Sequence, residues 1–112
     1  MTGGVLLVMS RCTDPAREDE FNRWYNEVHV PDLLKLDHFV AAQRFKVSGR
    51  PNRNEPDAVY MALYELDTDD TAAAMKVLGE GVRELQAQGR MIDCLQATSS
   101  TTYVPITERI TR

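Results

Sequence analysis

The sequence predicts an α+β fold in which four strands and two helices follow one another in the order β-α-β-β-α-β. Three observations lead to this prediction. Four segments are rich in apolar and β-branched residues, two longer segments carry apolar residues at helical spacing, and turn-forming residues separate them. With 112 residues and 12.7 kDa, the chain has the size of one domain, which we expect to span residues 1–112.

The first strand and the first helix are clearly marked. Val5 to Met9 is a short apolar run after two glycines, which is typical of a buried strand. Asp14 can cap a helix, and Pro15 suits its first turn. The helix then carries an apolar stripe at i, i+3, i+4 and i+7, formed by Phe21, Trp24, Tyr25 and Val28. We expect Pro31 to break this helix and to start a short second piece that runs to Leu36.

Two strands are predicted in the middle of the chain, from Phe39 to Val47 and from Ala58 to Leu66. The loop between them, from Ser48 to Asp57, is rich in Gly, Pro, Asn and Arg. We therefore expect the two strands to form an antiparallel pair.

The second helix and the last strand complete the pattern. A helix is predicted from about Thr68 to Gly89, with a helical stripe formed by Met75, Leu78, Val82 and Leu85. Gly79 and Gly81 weaken its middle, so we expect a bend or a split there. Residues 92–104 are predicted to form a long final strand. This order is the split βαβ arrangement of a ferredoxin-like fold, with an antiparallel four-stranded sheet and two helices on one face.

Both faces of the predicted sheet carry apolar side chains. The third strand alternates Val59, Met61 and Leu63 on one face with Ala58, Tyr60, Ala62 and Tyr64 on the other. The second strand is expected to place Phe39, Ala41, Phe45 and Val47 on one face and Val40 and Ala42 on the other. A sheet with one face in water would alternate apolar and polar residues, and two helices cover only one face. We therefore expect a two-fold homodimer whose sheets pack face to face.

The composition argues against several classes of function. The net charge of −4, from 13 basic and 17 acidic residues, argues against a general affinity for nucleic acid. Apolar runs such as Val5 to Met9 are too short to span a membrane, and no secretory signal is recognisable. We expect a cytoplasmic protein whose two cysteines, Cys12 and Cys94, are free thiols without a chemical role.

No cofactor and no metal ion are expected. The sequence lacks a Gly-rich phosphate loop, a dinucleotide-binding fingerprint and a serine elbow. His29 and His38 are the only histidines, and neither has Cys or Glu nearby at the spacing of a zinc site.

The strongest candidate for chemistry is His29. It follows Tyr25 by four residues and lies at the edge of the apolar stripe, near the end of the first helix. A histidine with an ordinary pKa of about 6.5 suits proton transfer at neutral pH. Two structural roles are the alternative: a ring that ties the helix to the following loop, or a favourable charge at the helix C-terminus.

The stretch from Phe21 to Phe45 resembles a known family. An aromatic residue, then Trp24-Tyr25, His29-Val30-Pro31, Leu33-Leu34-Lys35-Leu36 and a strand that begins Phe39-Val40 are similar to the EthD-like branch of the dimeric α/β-barrel superfamily. The resemblance implies a ferredoxin-like protomer and a dimer whose two sheets form a barrel. In EthD-like dehydratases and decarboxylases the histidine of this element is proposed to act on the substrate, which implies that role for His29.

One departure from the family concerns the turn before the second strand. Related sequences often have Pro-Gly there, whereas this chain has Asp37-His38. Both residues tolerate left-handed backbone, so the turn remains feasible. The change adds His38 near the entrance of the strand, where it can alter a pocket.

Six further residues are candidates for substrate contact. Trp24 and Tyr25 can line an apolar pocket between helix and sheet, although a core role is the alternative. Tyr60 and Tyr64 share a strand face, and their hydroxyls can orient an oxygenated substrate, with packing against the sheet of the second copy as the alternative for at least one of them. Arg44 can bind a carboxylate or an enolate, with a solvated position or a dimer salt bridge as the alternative. The sixth candidate is His38.

Three functions fit these residues. The first is a small cofactor-independent enzyme in which His29 transfers protons on an apolar, oxygenated and cyclic metabolite, as a dehydratase, decarboxylase, isomerase or cyclase. The second is a non-catalytic dimeric protein that binds a small apolar ligand or another protein in the same pocket. The third, drawn from the superfamily, is a cofactor-free or haem-linked monooxygenase in which His29 or His38 ligates iron.

Overall fold

A four-stranded antiparallel sheet forms the centre of the computed structural model, which describes residues 3–112. Its strands are β1 (Val5–Cys12), β2 (Phe39–Lys46), β3 (Tyr60–Leu66) and β4 (Leu95–Tyr103), in the spatial order β2-β3-β1-β4. The helices are α1 (Glu18–Trp24), α2 (Val30–Leu33) and α3 (Thr71–Ala87). This architecture confirms the predicted α+β, ferredoxin-like fold. No helix within residues 3–112 is long and apolar enough to cross a membrane.

The first helical segment is continuous through Pro31, which corrects the predicted break. A short 3₁₀ turn at Pro15–Arg17, capped by the Asp14 side chain, leads into α1, and a π turn at Tyr25–His29 connects α1 to α2. In the π turn the Val30 N–H donates to the Tyr25 carbonyl, five residues back. Pro31 then falls in the first turn of α2, where a residue without an N–H is tolerated.

A β-bulge at Val40 corrects the predicted faces of β2. Phe39 pairs with Leu66, but the next aligned pair is Ala41 with Glu65, so Val40 is an extra residue. Strict alternation would put Phe39 on the same face as Ala41. Because of the extra residue, Phe39 points to the face opposite to that of Ala41, and its side chain is buried in the core.

The long helix α3 begins at Thr71 rather than near Thr68. The Asp70 side chain caps it by accepting a hydrogen bond from the Ala73 N–H at 3.1 Å. The helix passes through Gly79 and Gly81 as one element, so the expected split is wrong. After the helix, Gly89 adopts a left-handed conformation with φ of 71°, which confirms the predicted end.

The core lies between the helices and one face of the sheet, which we call the helix-covered face. Its buried residues are Leu6, Cys12, Phe21, Tyr25, Leu33, Phe39, Tyr60, Ala62, Tyr64, Leu66, Ala74 and Cys94. Both cysteines are free and buried, and burial raises the pKa of Cys94 to about 11. The Cys94 thiol therefore stays protonated at neutral pH, as expected of a residue without chemistry.

The other side of the sheet, which we call the open sheet face, remains partly accessible to water. The pairing of the strands places seven large apolar residues on it, namely Val5, Leu7, Met9, Phe45, Met61, Leu63 and Tyr103. Phe45 and Tyr103 retain 41% and 52% of their exposure. An exposed face of this composition is typical of a surface that associates with another chain, and the sheet-to-sheet dimer stays a prediction.

Candidate functional site

Tyr25 lies at the centre of the candidate site. It stands at the start of the π turn, only 1% of its surface is exposed, and its ring contacts Phe21 and Trp24 edge-on. His29, at the end of the same turn, packs edge-on against Tyr25, with 5.1 Å between ring centroids. The imidazole ring of His29 thus packs against the apolar stripe predicted for the first helix.

The π turn sets the orientation of His29. A π turn takes in one more residue than an α turn, so side chains five positions apart approach the same side. Trp24 and His29 have this spacing, and their rings stack with 4.7 Å between centroids and 18° between planes. The Trp24 Nε1–H donates to the Arg90 carbonyl at 2.8 Å, which fixes the indole against which the imidazole rests.

Burial determines the charge of His29. The side chain is 6% exposed, and its Nδ1 atom is buried without a hydrogen-bond partner. Burial lowers its pKa from 6.5 to about 4; the Arg44 charge acts in the same direction and the Asp32 carboxylate opposes it. At neutral pH the imidazole is therefore uncharged and able to accept a proton.

Arg44 brings a positive charge to the other side of Tyr25. Its guanidinium carbon lies 4.1 Å from the centroid of the Tyr25 ring, within the range of a cation–π contact. Nη1 donates to Asn26 Oδ1 at 2.8 Å, and Nη2 donates to Asn22 Oδ1 at 2.9 Å. The buried Nε–H has no partner. Two asparagines one helical turn apart thus orient the guanidinium and leave its buried Nε–H available to another acceptor.

The tyrosines of β3 differ in their partners. The Tyr60 hydroxyl donates to Glu18 Oε1 at 2.6 Å and accepts from Asn22 Nδ2 at 3.2 Å. The Tyr64 hydroxyl is fully buried and has no partner, and burial raises its pKa above the ordinary value. Ser10 of β1, on the same face of the sheet, also has a buried hydroxyl without a partner.

Among residues 3–112, four buried side-chain polar atoms lack hydrogen-bond partners, and all four belong to residues that lie near Tyr25. They are Ser10 Oγ, His29 Nδ1, Arg44 Nε and the Tyr64 hydroxyl. Each buried polar atom without a partner costs roughly 1–3 kcal/mol. A concentration of such atoms in one place is typical of a site that pairs with a ligand or with water.

An open pocket of about 360 Å³ adjoins this cluster. It is lined by Asn22, Asn26, Arg44, Phe45, Lys46 and Tyr60. Two cationic side chains and two amides make the pocket suitable for an oxygen-bearing group of a ligand. Within residues 3–112, no three His, Cys, Asp or Glu side chains are grouped so that they could hold a metal ion.

The family model of a domain of unknown function, DUF4286, matches residues 7–90, which is more than half of the chain. The chain belongs to the DUF4286 family. All of the site residues described above lie within the matched range. Among proteins of curated function, none matches this DUF4286 chain.

Solved structures show the fold that this DUF4286 chain shares. HapK from Hahella chejuensis is 17% identical with a TM-score of 0.66, covering 97% of this chain and 98% of its own. An EthD-like protein from Ralstonia eutropha is 18% identical with a TM-score of 0.58, covering 97% of each chain. A dimeric ferredoxin-like protein from Thermobifida fusca is 12% identical with a TM-score of 0.52, covering 93% and 92%.

These structures show that this DUF4286 chain shares its fold with EthD-like proteins, which agrees with the resemblance of the motif around His29. Two of the proteins that share the fold, from Thermobifida fusca and from an uncultured marine organism, are dimeric ferredoxin-like proteins. Monooxygenases share the fold, and one of them, from Streptomyces coelicolor, is in complex with the ligand nanaomycin D.

The structure brings six of the seven predicted site residues of this DUF4286 chain together, namely Trp24, Tyr25, His29, Arg44, Tyr60 and Tyr64. His38 lies apart, in the turn before β2, with a left-handed φ of 78°. Its Nδ1 lies 2.8 Å from Asp67 Oδ1, and Arg44 is near the other end of the strand. His38 therefore has a partner outside the cluster.

Sequence reasoning missed four polar residues of the site. Asn22 and Asn26 are four residues apart beside the aromatic stripe, a spacing that puts them on one helix face. Ser10 has the parity of Leu6 and Cys12 in β1, so alternation alone marks it as a polar residue pointing into the core. Glu18 gives no comparable signal, because its partner Tyr60 is distant in sequence.

Proposed function

We propose that this protein is a small cofactor-independent enzyme that transfers protons on an apolar, oxygenated, cyclic metabolite, with His29 as the catalytic base. The observation that carries the proposal is the unpaired Nδ1 of the buried His29 ring, surrounded by three further unpaired polar atoms. The fold of this chain, which is that of a small enzyme, is shared with EthD-like proteins and monooxygenases.

The electrostatics of the cluster support the role of a base. Because burial lowers the pKa of His29 to about 4, its ring is neutral over the whole neutral pH range. A neutral imidazole can remove a proton from the carbon next to a carbonyl group. The electron pair of that C–H bond then moves to the carbonyl oxygen, which becomes an enolate.

Arg44 and Tyr64 are placed to stabilise the negative charge that develops on the enolate oxygen. Both present an unpaired N–H or O–H group in the same buried cluster, and Arg44 adds a positive charge. Donors held in place before the reaction stabilise an oxyanion more than water does, since they need no reorganisation. The proton held by His29 then returns to a different carbon in an isomerisation, or to a departing hydroxyl group in a dehydration.

The two alternatives rest on different observations. A binding protein without turnover would use the same unpaired atoms to hold an oxygenated ligand. The monooxygenase alternative rests on structural relatives whose low identity establishes the fold alone. The unpaired Nδ1 of the buried, uncharged His29 ring is the feature on which the proton-transfer proposal rests.

The experiment measures proton transfer directly. We would incubate the protein with 2-tetralone, an apolar bicyclic ketone, in D₂O and follow loss of its α-proton signals by NMR. The protein should accelerate exchange, and His29→Gln should reduce the acceleration about 100-fold or more. Glu80→Gln, at an exposed position of α3, serves as the matched control.

The possible results separate the three functions. Saturable binding of the ketone without exchange would establish the binding protein instead of the enzyme. Exchange that depends on His38 rather than His29 would overturn the assignment of the base. Uptake of haem with a shifted Soret band, lost in His29→Gln, would establish the haem-linked alternative.

A further inference from the structure

Two basic side chains of β2 lie on the same side of the sheet, beside the buried cluster. The strand register puts Arg44 opposite Ala62. Lys46 lies opposite Tyr60, so both basic side chains share the helix-covered face, and both line the open pocket of about 360 Å³. Two residues of a strand span about 7 Å, which is comparable with the length of a bicyclic ring system. A ring that meets Arg44 at one end can therefore reach Lys46 with a substituent at its other end.

Neither of these positive charges is paired with a carboxylate. None of the ion pairs formed within residues 3–112 involves Arg44 or Lys46. Two amide oxygens hold Arg44 instead, and the Lys46 side chain is exposed. Like charges at this spacing repel each other, so an anion bound between them would relieve an unfavourable interaction.

The amides of the pocket are oriented as donors. The Oδ1 atoms of Asn22 and Asn26 both accept from the Arg44 guanidinium, so each NH₂ group is turned away from it. The NH₂ group of Asn22 donates to the Tyr60 hydroxyl at 3.2 Å, whereas that of Asn26 has no partner within residues 3–112. The polar side-chain groups that remain available in the pocket, Asn26 Nδ2 and Lys46 Nζ, are thus both donors of hydrogen bonds.

Glu18 limits the negative charge that this pocket accepts. Its Oε1 atom accepts a hydrogen bond from the Tyr60 hydroxyl at 2.6 Å, next to the pocket. One carboxylate beside the two cations Arg44 and Lys46 leaves a single excess positive charge. This excess matches a carboxylate, which carries one negative charge, better than a phosphate monoester, which carries nearly two at neutral pH.

We propose that the substrate carries a carboxylate, which Lys46 and the Asn26 amide bind in the open pocket while the ring system lies against the buried cluster. Lys46 is then a specificity-determining residue, because its ammonium group distinguishes an acid from a neutral analogue of the same size. The substrate class narrows from oxygenated cyclic compounds to cyclic keto acids. The inference rests on the proposed function for the ketone, but binding of the carboxylate requires no turnover.

The first test compares two ligands that differ in charge. The compounds 2-tetralone-6-carboxylate and 2-tetralone-6-carboxamide share the bicyclic ketone and have nearly the same shape. In isothermal titration calorimetry, the wild-type protein should bind the carboxylate about tenfold more tightly than the amide. Equal affinities for the two compounds, or tighter binding of the amide, would overturn the proposal.

The second test locates the carboxylate. Lys46→Met removes the ammonium group and should abolish the preference for the carboxylate while leaving the affinity for the amide unchanged. Lys46→Arg keeps the positive charge and should retain the preference. Lys76→Met, at an exposed lysine of α3, is the matched control and should bind both compounds as the wild type does. A preference that survives Lys46→Met would overturn the assignment of Lys46.

The two affinities are measured independently of the α-proton exchange in D₂O. A preference for the carboxylate that depends on Lys46, without any exchange, would support the carboxylate site and overturn the catalytic role of His29. Exchange that depends on His29, with equal affinities for the two compounds, would support the catalytic role and overturn the carboxylate site.

Discussion

The indole of Trp24 and the imidazole of His29 lie nearly parallel, with 4.7 Å between their centroids. A hydrogen bond to the Arg90 carbonyl holds the indole in this position. Because Trp24 is the only tryptophan of the chain, its fluorescence reports on the ionisation of one neighbouring histidine.

The first prediction uses this pair. Lowering the pH should change the Trp24 fluorescence with a midpoint near pH 4, because burial lowers the pKa of His29 to about 4. The measurement is a fluorescence titration from pH 7 to pH 3, restricted to conditions where circular dichroism shows a folded chain. His29→Gln should abolish the transition. A midpoint near 6.5 would contradict the burial of an uncharged ring.

The second prediction concerns stability against pH. Between pH 6.5 and pH 4 the unfolded chain protonates His29 and the folded chain does not, so protonation favours unfolding. The free energy of unfolding should therefore fall by about 3 kcal/mol over this window. Urea unfolding at pH 7 and pH 4.5 measures the change. The fall should be smaller in His29→Gln, and equal slopes in both proteins would refute the assignment.

The third prediction concerns the open sheet face. Leu63 lies beside Leu7 and Gln43 on this face, and Leu63→Lys would place a charge between two packed sheets. We expect this variant to sediment as a folded monomer where the wild type is a dimer. Lys76→Leu, an exposed site on α3, is the control and should leave association unchanged. A dimeric Leu63→Lys protein would show that another surface pairs the chains.

The fourth prediction compares the two glycines of α3. A Cβ atom at Gly79 would have only the Arg83 side chain within 4 Å, so Gly79→Ala should stabilise the protein by roughly 0.5–1 kcal/mol. At Gly81 the same atom would lie 2.7 Å from Leu36, which must move. Gly81→Ala should therefore gain less than Gly79→Ala or lose stability. Thermal unfolding of both variants measures the contrast, and equal gains would contradict it.

The fifth prediction concerns a buried carboxylate. Asp32 is 7% exposed, and Arg90 donates to both of its oxygens, at 2.7 and 3.1 Å, which holds the pKa of Asp32 below its ordinary value. Arg90→Ala should lower the urea midpoint and raise that pKa, because the carboxylate loses its partner. Lys35→Ala, whose amino group is 3.9 Å away and exposed, should change little. Adding Asp32→Asn to Arg90→Ala should recover part of the loss.

Much of the fold was predictable because it follows from local patterns. Apolar alternation and helical spacing located every strand and both main helices, and the capping role of Asp14 agrees with the structure. The bulge at Val40 was not predictable, since its cause is the alignment of Phe39 with Leu66 on a neighbouring strand. The continuation of the helix through Pro31 likewise depends on a π turn that the spacing of apolar residues does not reveal.

The candidate site was predictable as far as its aromatic residues and its strand-borne arginine. His29 follows Tyr25 by four residues, so its place beside Tyr25 follows from spacing, whereas its stacking on Trp24 depends on the π turn. The partners of Arg44 depend on which helix crosses β2, a tertiary relationship that one sequence does not contain. The unpaired polar atoms were not predictable either. Whether a buried atom has a hydrogen-bond partner depends on all the residues that pack around it in the folded chain.

The π turn between α1 and α2 has a consequence for how such a protein can diverge. One extra residue is what brings the imidazole under the indole, and a single deletion within residues 25–29 would restore ordinary helical geometry. That deletion would rotate the histidine out of the cluster by about 100° while the sheet and its packing partner stayed in place. A chain with this deletion would keep the scaffold and lose the stacked pair of Trp24 and His29.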